Sequence, residues 1–90
     1  MAHIVVYTTA TCPYCLAAKR LLEQKMAAFE EIRVDGDRAA HARMSELAGG
    51  RSSVPQIFID GRHIGGCDDL YALDGEGGLD PLLAVGEAIK

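Results

Sequence analysis

The chain has 90 residues, of which 49% are hydrophobic and 24% charged, and its formal net charge is −4. That length makes a single domain over residues 1–90 with one modest core, and the balance is that of a globular rather than a disordered chain. The acidic charge argues against nucleic acid or an anionic membrane as the main partner, and no apolar run approaches the ~20 residues a bilayer requires.

The N-terminus enters a strand-like run directly, so no signal-peptide pattern is expected. His3 to Tyr7 is rich in β-branched residues and reads as a short strand buried on both faces. Thr8 to Thr11 is a polar turn. Pro13 stands near the first helical position, where its missing N–H does no harm, and the helix runs to about Lys25 with Leu21, Leu22 and the alanines on its apolar face. Phe29 to Val34 alternates imperfectly and reads as a second strand. Asp37 is a good N-cap for a helix over Arg38 to Leu47, which Gly49-Gly50 ends.

Arg51 to Ser53 is a loop, and Val54-Pro55 leads into a third strand, Gln56 to Ile59. Asp60-Gly61 favours a tight hairpin, with Arg62 to Ile64 returning. Gly65-Gly66 breaks the chain before a helix over Cys67 to Leu73. After Gly75 to Gly78, Asp80-Pro81 is expected to cap a last helix carrying Leu82, Leu83, Val85 and Ile89. The order β-α-β-α-β-β-α-α is of the α/β class. A right-handed first β-α-β unit and the Asp-Gly hairpin predict a four-stranded mixed sheet with helices on both faces.

The chemistry centres on Cys12-Pro13-Tyr14-Cys15, at a strand-to-helix junction. Free N–H groups and the positive end of the helix dipole favour a thiolate on the first cysteine, and the thiolate is the nucleophilic form. Cys15 lies one turn further in, within reach to close a disulfide. A zinc site needs two more soft ligands at suitable spacing, whereas Cys67, His3, His41 and His63 are scattered. The pair therefore reads as redox-active rather than as an inert buried pair. Three cysteines in all do not make a secreted disulfide framework, which points to a reducing, cytoplasmic setting. Val54-Pro55, read by itself, is equally an ordinary strand entry. Gly66-Cys67-Asp68-Asp69 can either gather backbone N–H groups onto an anion or simply cap a helix.

Taken in register, Cys12-Pro13-Tyr14-Cys15, Ser53-Val54-Pro55 and Gly65-Gly66-Cys67-Asp68-Asp69-Leu70 resemble a dithiol glutaredoxin of the bacterial short-chain type, from Ile4 to Leu83. The resemblance implies a thioredoxin fold, glutathione as reductant and co-substrate, and no bound prosthetic group. It implies Cys12 as the nucleophile that forms a mixed disulfide and Cys15 as the resolving thiol. It implies a cis Val54–Pro55 bond opposite the cysteines, with Val54 N–H and C=O paired to an extended peptide. Ser53 stands where most of the family has threonine and keeps the hydroxyl. Tyr14 is expected to pack along the tripeptide. The N–H groups of Cys67 and Asp68, after Gly66, are expected to hold the γ-glutamyl carboxylate, and Asp69 its ammonium. Cys67 reads as a small apolar neighbour, with a regulatory thiol as the lesser alternative.

One position departs from the family. A lysine usually stands where this chain has Thr9, placed to favour the thiolate and to pair with glutathione's glycine carboxylate. A surface ion pair is worth ~1 kcal/mol or less, so activity should survive with weaker glutathione binding. Arg51 or Gln56 are candidates to supply part of the contact, and Lys19 is a lesser candidate to bias the thiolate. The expected partners are glutathionylated proteins, small mixed disulfides and some protein disulfides, ribonucleotide reductase among the candidates, and a monomer suffices. Two rivals remain: a redoxin fed directly by a flavoprotein reductase, against which Tyr14 and Asp68-Asp69 argue, and a dimeric iron–sulfur carrier, against which Pro13 argues.

Overall fold

Ile4–Thr8 forms β1, and its alternate residues go to opposite faces of a sheet. Ile4 and Val6 join one buried cluster, while Val5 and Tyr7 pack into another. Both faces of this strand are therefore covered, as its apolar composition predicts. Pro13–Gln24 forms α1, Glu30–Arg33 β2, Arg38–Leu47 α2, Gln56–Ile59 β3, Arg62–Gly65 β4, Cys67–Gly75 α3 and Leu79–Ala88 α4. The computed structural model describes residues 3–88, with side chains through residue 83.

The sheet order is β2-β1-β3-β4. β1 pairs parallel with β2 and antiparallel with β3, and β3 pairs antiparallel with β4. This is the four-stranded mixed sheet that the sequence predicts. β3 repeats the division made by β1: Ile57 and Ile59 meet α1, α3 and α4 through Ala18, Leu21, Leu22, Leu70 and Leu79, whereas Phe58 meets Tyr7, Val34 and Met44 under α2. The imperfect alternation around β2 has the same cause. Phe29 packs on the first cluster, and Ile32 and Val34 on the second.

The Asp60-Gly61 turn has positive φ at both residues, 52° and 80°, which matches the twist of paired strands. Asp60 closes the sheet end by accepting from His3 N–H through Oδ1 at 2.8 Å and donating its own N–H to His3 O at 2.8 Å. α4 begins at Leu79, ahead of the Asp80-Pro81 pair expected to cap it. Asp80 and Pro81 occupy its first turn instead of preceding it, where proline is tolerated because the N–H there lacks an intrahelical acceptor. Asp80 also pairs with Lys25 Nζ at 3.1 Å, which in turn meets Asp74 at 2.8 Å, tying the end of α1 to α3 and α4. Leu82 and Leu83 pack on the first cluster; the Val85 side chain and Ile89 lie outside the described residues.

Leu22 is fully buried on the α1 face that covers the sheet. Leu22→Ala is expected to lower unfolding free energy by about 2–5 kcal/mol through lost transfer energy and a residual cavity, measured by urea denaturation.

Candidate active site

Cys12 is the N-cap of α1, in extended conformation at φ −117° and ψ 106°. Its sulfur accepts the Cys15 N–H at 3.1 Å, doing the work that a serine hydroxyl does at other helix starts. Pro13 follows at the first helical position. The Cys12 sulfur is partly exposed, and its thiol donates to the Val54 carbonyl at 3.7 Å. It thus sits between the first turn of one helix and the loop that enters β3.

Cys15 lies one turn inside α1 and is only 2% exposed. Its thiol is pushed up to about 12, first by burial and then by its hydrogen bond to Cys12; a backbone hydrogen bond from Thr9 and the Lys19 charge offset this in part. The two thiols are therefore chemically unequal although three residues apart. Cys12 is reachable and held by an N–H donor, whereas Cys15 is buried and stays protonated near neutral pH.

On the other side of Val54 lies a surface cleft. Tyr14, Ser53, Val54, Pro55, Gly66, Cys67, Asp68 and Asp69 all line it, together with Arg51. All eight positions expected from the sequence to contact ligand thus meet in one place. The Val54–Pro55 bond is cis. Tyr14 is 65% exposed, so its ring is free to cover a bound molecule. Gly66 caps α3, and the N–H groups of Cys67 and Asp68 in its first turn have no helical acceptor, which makes this rim attractive to an anion.

Asp69 Oδ2 accepts the Gly66 N–H at 2.8 Å and the Arg51 Nη1 at 3.2 Å. These two contacts, the backbone one first, hold its carboxyl below the usual carboxylate range. Gly65 must be glycine: its φ is +120°, and a Cβ there would overlap the Asp69 carboxylate. A β-bulge between Ile57 and Phe58 shifts the register just before this point and lets β4 turn into α3. Cys67 is buried against the first cluster, and burial followed by the neighbouring Asp68 charge raises its thiol, so its side chain behaves as a small apolar group.

Two expectations about the missing lysine resolve differently. Arg51 does stand in the cleft. Gln56 does not reach it: the side chain is fully buried and hydrogen-bonded inward to Ser53 and His63. Thr9 lines grooves on the far side of the cysteines rather than the cleft. Lys19 borders the groove beside Cys12 and Cys15, but its ammonium is paired with Glu31 at 2.9 Å, and the same carboxylate accepts Thr8 Oγ1 at 2.7 Å. Sequence reasoning missed the Arg51–Asp69 pair and the inward role of Gln56. A signal for the latter exists: Gln56 is a polar residue in a strand whose other three members are all buried and apolar. Among the described residues, no group of three or more His, Cys, Asp or Glu side chains is arranged to hold a metal.

The unequal thiols predict that iodoacetamide at neutral pH modifies Cys12 alone, with Cys15 reacting only in strong alkali; peptide mass spectrometry reads the sites. The lowered Asp69 carboxyl stabilises the fold fully above the ordinary carboxylate pKa, and that contribution is lost as pH falls through the depressed folded-state value. Asp69→Asn, which cannot titrate, is expected to flatten the acid limb of stability against pH, measured by denaturation in neutral and acid buffers.

A glutaredoxin family model matches residues 4–64. Glutaredoxin 3 of Escherichia coli K12 is 58% identical over 83 residues, covering 92% of this chain and 99% of that protein. The solution structure of glutaredoxin from Brucella melitensis is similar with a TM-score of 0.84 at 50% identity, covering 96% of this chain and 92% of that one. The crystal structure of a buckwheat glutaredoxin–glutathione complex has a TM-score of 0.82 at 34% identity, covering 92% and 77%. Similarity that extends through nearly the full length of both chains, in sequence and in backbone, carries more than the fold, and this chain belongs to the glutaredoxin family.

Proposed function

We propose that the protein is a glutathione-dependent thiol–disulfide oxidoreductase, with Cys12 as nucleophile and Cys15 as resolving thiol. The observation that carries this is the meeting of Cys12 and the cleft at Val54, a residue that lines the cleft and whose carbonyl accepts from the Cys12 thiol at 3.7 Å. A ligand in the cleft thereby brings its sulfur to the one reachable thiol of the motif.

In the first step the Cys12 thiolate attacks the glutathione sulfur of a mixed disulfide. A Cys12–glutathione disulfide forms, and the substrate leaves as a thiolate that takes up a proton. A second glutathione thiolate then attacks the bound glutathione sulfur, which restores Cys12 and forms glutathione disulfide. With a protein disulfide, Cys12 instead forms a mixed disulfide with the protein. Cys15 then attacks the Cys12 sulfur, its proton passing to the departing thiolate. The result is a Cys12–Cys15 disulfide and a reduced substrate, and two glutathiones regenerate the dithiol. The buried Cys15 thiol is suited to this intramolecular task, since it does not compete for outside disulfides.

In the cleft, the N–H groups of Cys67 and Asp68 after Gly66 take the γ-glutamyl carboxylate and Asp69 the adjacent ammonium. Ser53 and Val54 pair with the peptide backbone ahead of Pro55, and Tyr14 covers the tripeptide. Arg51 supplies the cation for the second carboxylate that Thr9 does not provide. Glutathione is a co-substrate here, with no resident cofactor. Protein partners are glutathionylated or disulfide-bonded chains, ribonucleotide reductase being one candidate, and residues 1–90 act as one monomeric domain. Three cysteines do not make a secreted disulfide framework, which supports a reducing, cytoplasmic setting. Among the described residues no helix is long and apolar enough to cross a membrane.

The test is steady-state reduction of a glutathione mixed disulfide with glutathione, glutathione reductase and NADPH. Wild type and Cys15→Ser are expected to turn over and Cys12→Ser to be inactive. Turnover by thioredoxin reductase without glutathione dependence would overturn the reading.

A further inference from the structure

Two polar side chains are fully buried among the described residues, Thr8 and Gln56; Gln56 is hydrogen-bonded to Ser53, which lines the cleft, and Thr8 to Glu31, which does not. A buried amide must have its hydrogen bonds made, and the way they are made fixes its orientation. Gln56 Nε2 donates to the Ser53 carbonyl at 3.0 Å and to Ser53 Oγ at 3.4 Å. Its Oε1 therefore faces the other way, onto His63 Nε2 at 2.7 Å, and that nitrogen must carry the proton. The His63 ring is held in turn against Phe58, centroids 4.9 Å apart, and Phe58 meets Tyr7 edge-on at 5.7 Å. The line His63–Gln56–Ser53 runs from the edge strand β4 through the interior to the residue before Val54, and Val54 O receives the Cys12 thiol.

Ser53 and Val54 belong to no regular strand, so no ladder holds their backbone. On one side α2 does so, with His41 Nε2 bonded to Ser52 O at 2.8 Å and Ser45 Oγ to Ser52 Oγ at 3.1 Å. On the other side Gln56 holds Ser53, and the Cys12 thiol meets the Val54 carbonyl. We infer that Gln56 is a positioning residue for the disulfide substrate, holding Ser53 and Val54 in the conformation that pairs with its backbone, and that His63 sets the direction of the Gln56 amide. The inference rests on the glutathione reading above. Neither side chain lines the glutathione cleft, so their effect falls on substrate affinity rather than on the reacting sulfur.

The experiment compares wild type, Gln56→Met, His63→Leu and His63→Gln with the glutathione–cysteine mixed disulfide, in the presence of glutathione, its reductase and NADPH. Methionine preserves bulk without polar atoms. Glutamine at 63 restores an N–H at the place of the imidazole Nε2. Gln56→Met is expected to raise KM roughly five- to twenty-fold, the loss set by leaving Ser53 without its partner, with kcat and the iodoacetamide rate at Cys12 within about twofold of wild type. His63→Leu is expected to raise KM in the same direction, and His63→Gln to return it to within about twofold.

If Gln56→Met does not fold by circular dichroism, the His63 pair decides, because His63 is only part-buried in the edge strand β4. Unmoved KM in Gln56→Met and His63→Leu, with normal wild-type turnover, overturns the inference alone. So does a fall in kcat or in Cys12 alkylation as large as the rise in KM, which marks general loosening. Absence of wild-type glutathione-dependent turnover overturns the underlying reading and this inference with it.

Discussion

The molecule depends on two strands that bury both of their faces. β1 and β3 lie at the centre of the sheet, and each sends alternate residues into separate apolar clusters, so helices must cover both sides. Their antiparallel pairing has a further effect. Tyr7 lies opposite Gln56, so the end of β1 and the start of β3 share one edge of the sheet. Gly65 pairs with Ile57, which brings the end of β4 to the same edge. The start of α1, the Ser53–Pro55 segment and the start of α3 therefore converge because of sheet topology, with no contact needed to draw them together.

That convergence sets the electrostatics. Two helix N-termini point into one region, each with unsatisfied N–H groups and the positive end of its dipole. In a chain of net charge −4, the cleft thus sets helix N–H donors and Arg51 beside the carboxylates of Asp68 and Asp69. The same geometry separates the two thiols of the motif. One caps the helix and reaches the Val54 carbonyl, while the other is one turn inside and buried. Burial, with the hydrogen bond to Cys12 second, sets two identical side chains apart.

Most of the fold was legible because its signals are local. The β-branched run of β1, the Asp37 cap, the Asp60-Gly61 turn and the paired glycines before Cys67 each have a physical meaning within a few residues. The contact positions of the cleft were legible for another reason, since three motifs in register point to a family. The unread parts are those made by residues distant in sequence. Arg51 and Asp69 meet across 18 positions, and nothing in either neighbourhood announces the other. Gln56 looked available to a ligand because a polar residue beside a site motif invites that reading. Its place in the pleat turns it inward, and only the strand register shows this. The start of α4 was placed too late because Asp-Pro is compatible both with a cap and with a first turn.

The Arg51–Asp69 contact bears on how tightly anything can bind here. Within the cleft Arg51 and Asp69 form an ion pair at 3.2 Å, each side chain about half exposed. A zwitterion entering it does not bring charge to bare counter-charges; it exchanges one set of partners for another while water screens both arrangements. An exposed pair of this kind contributes about 1 kcal/mol or less, so the exchange itself adds little to affinity. On the glutathione reading, binding therefore begins by breaking a contact the protein has already made, and the ligand's charges take over the partners that Arg51 and Asp69 give up.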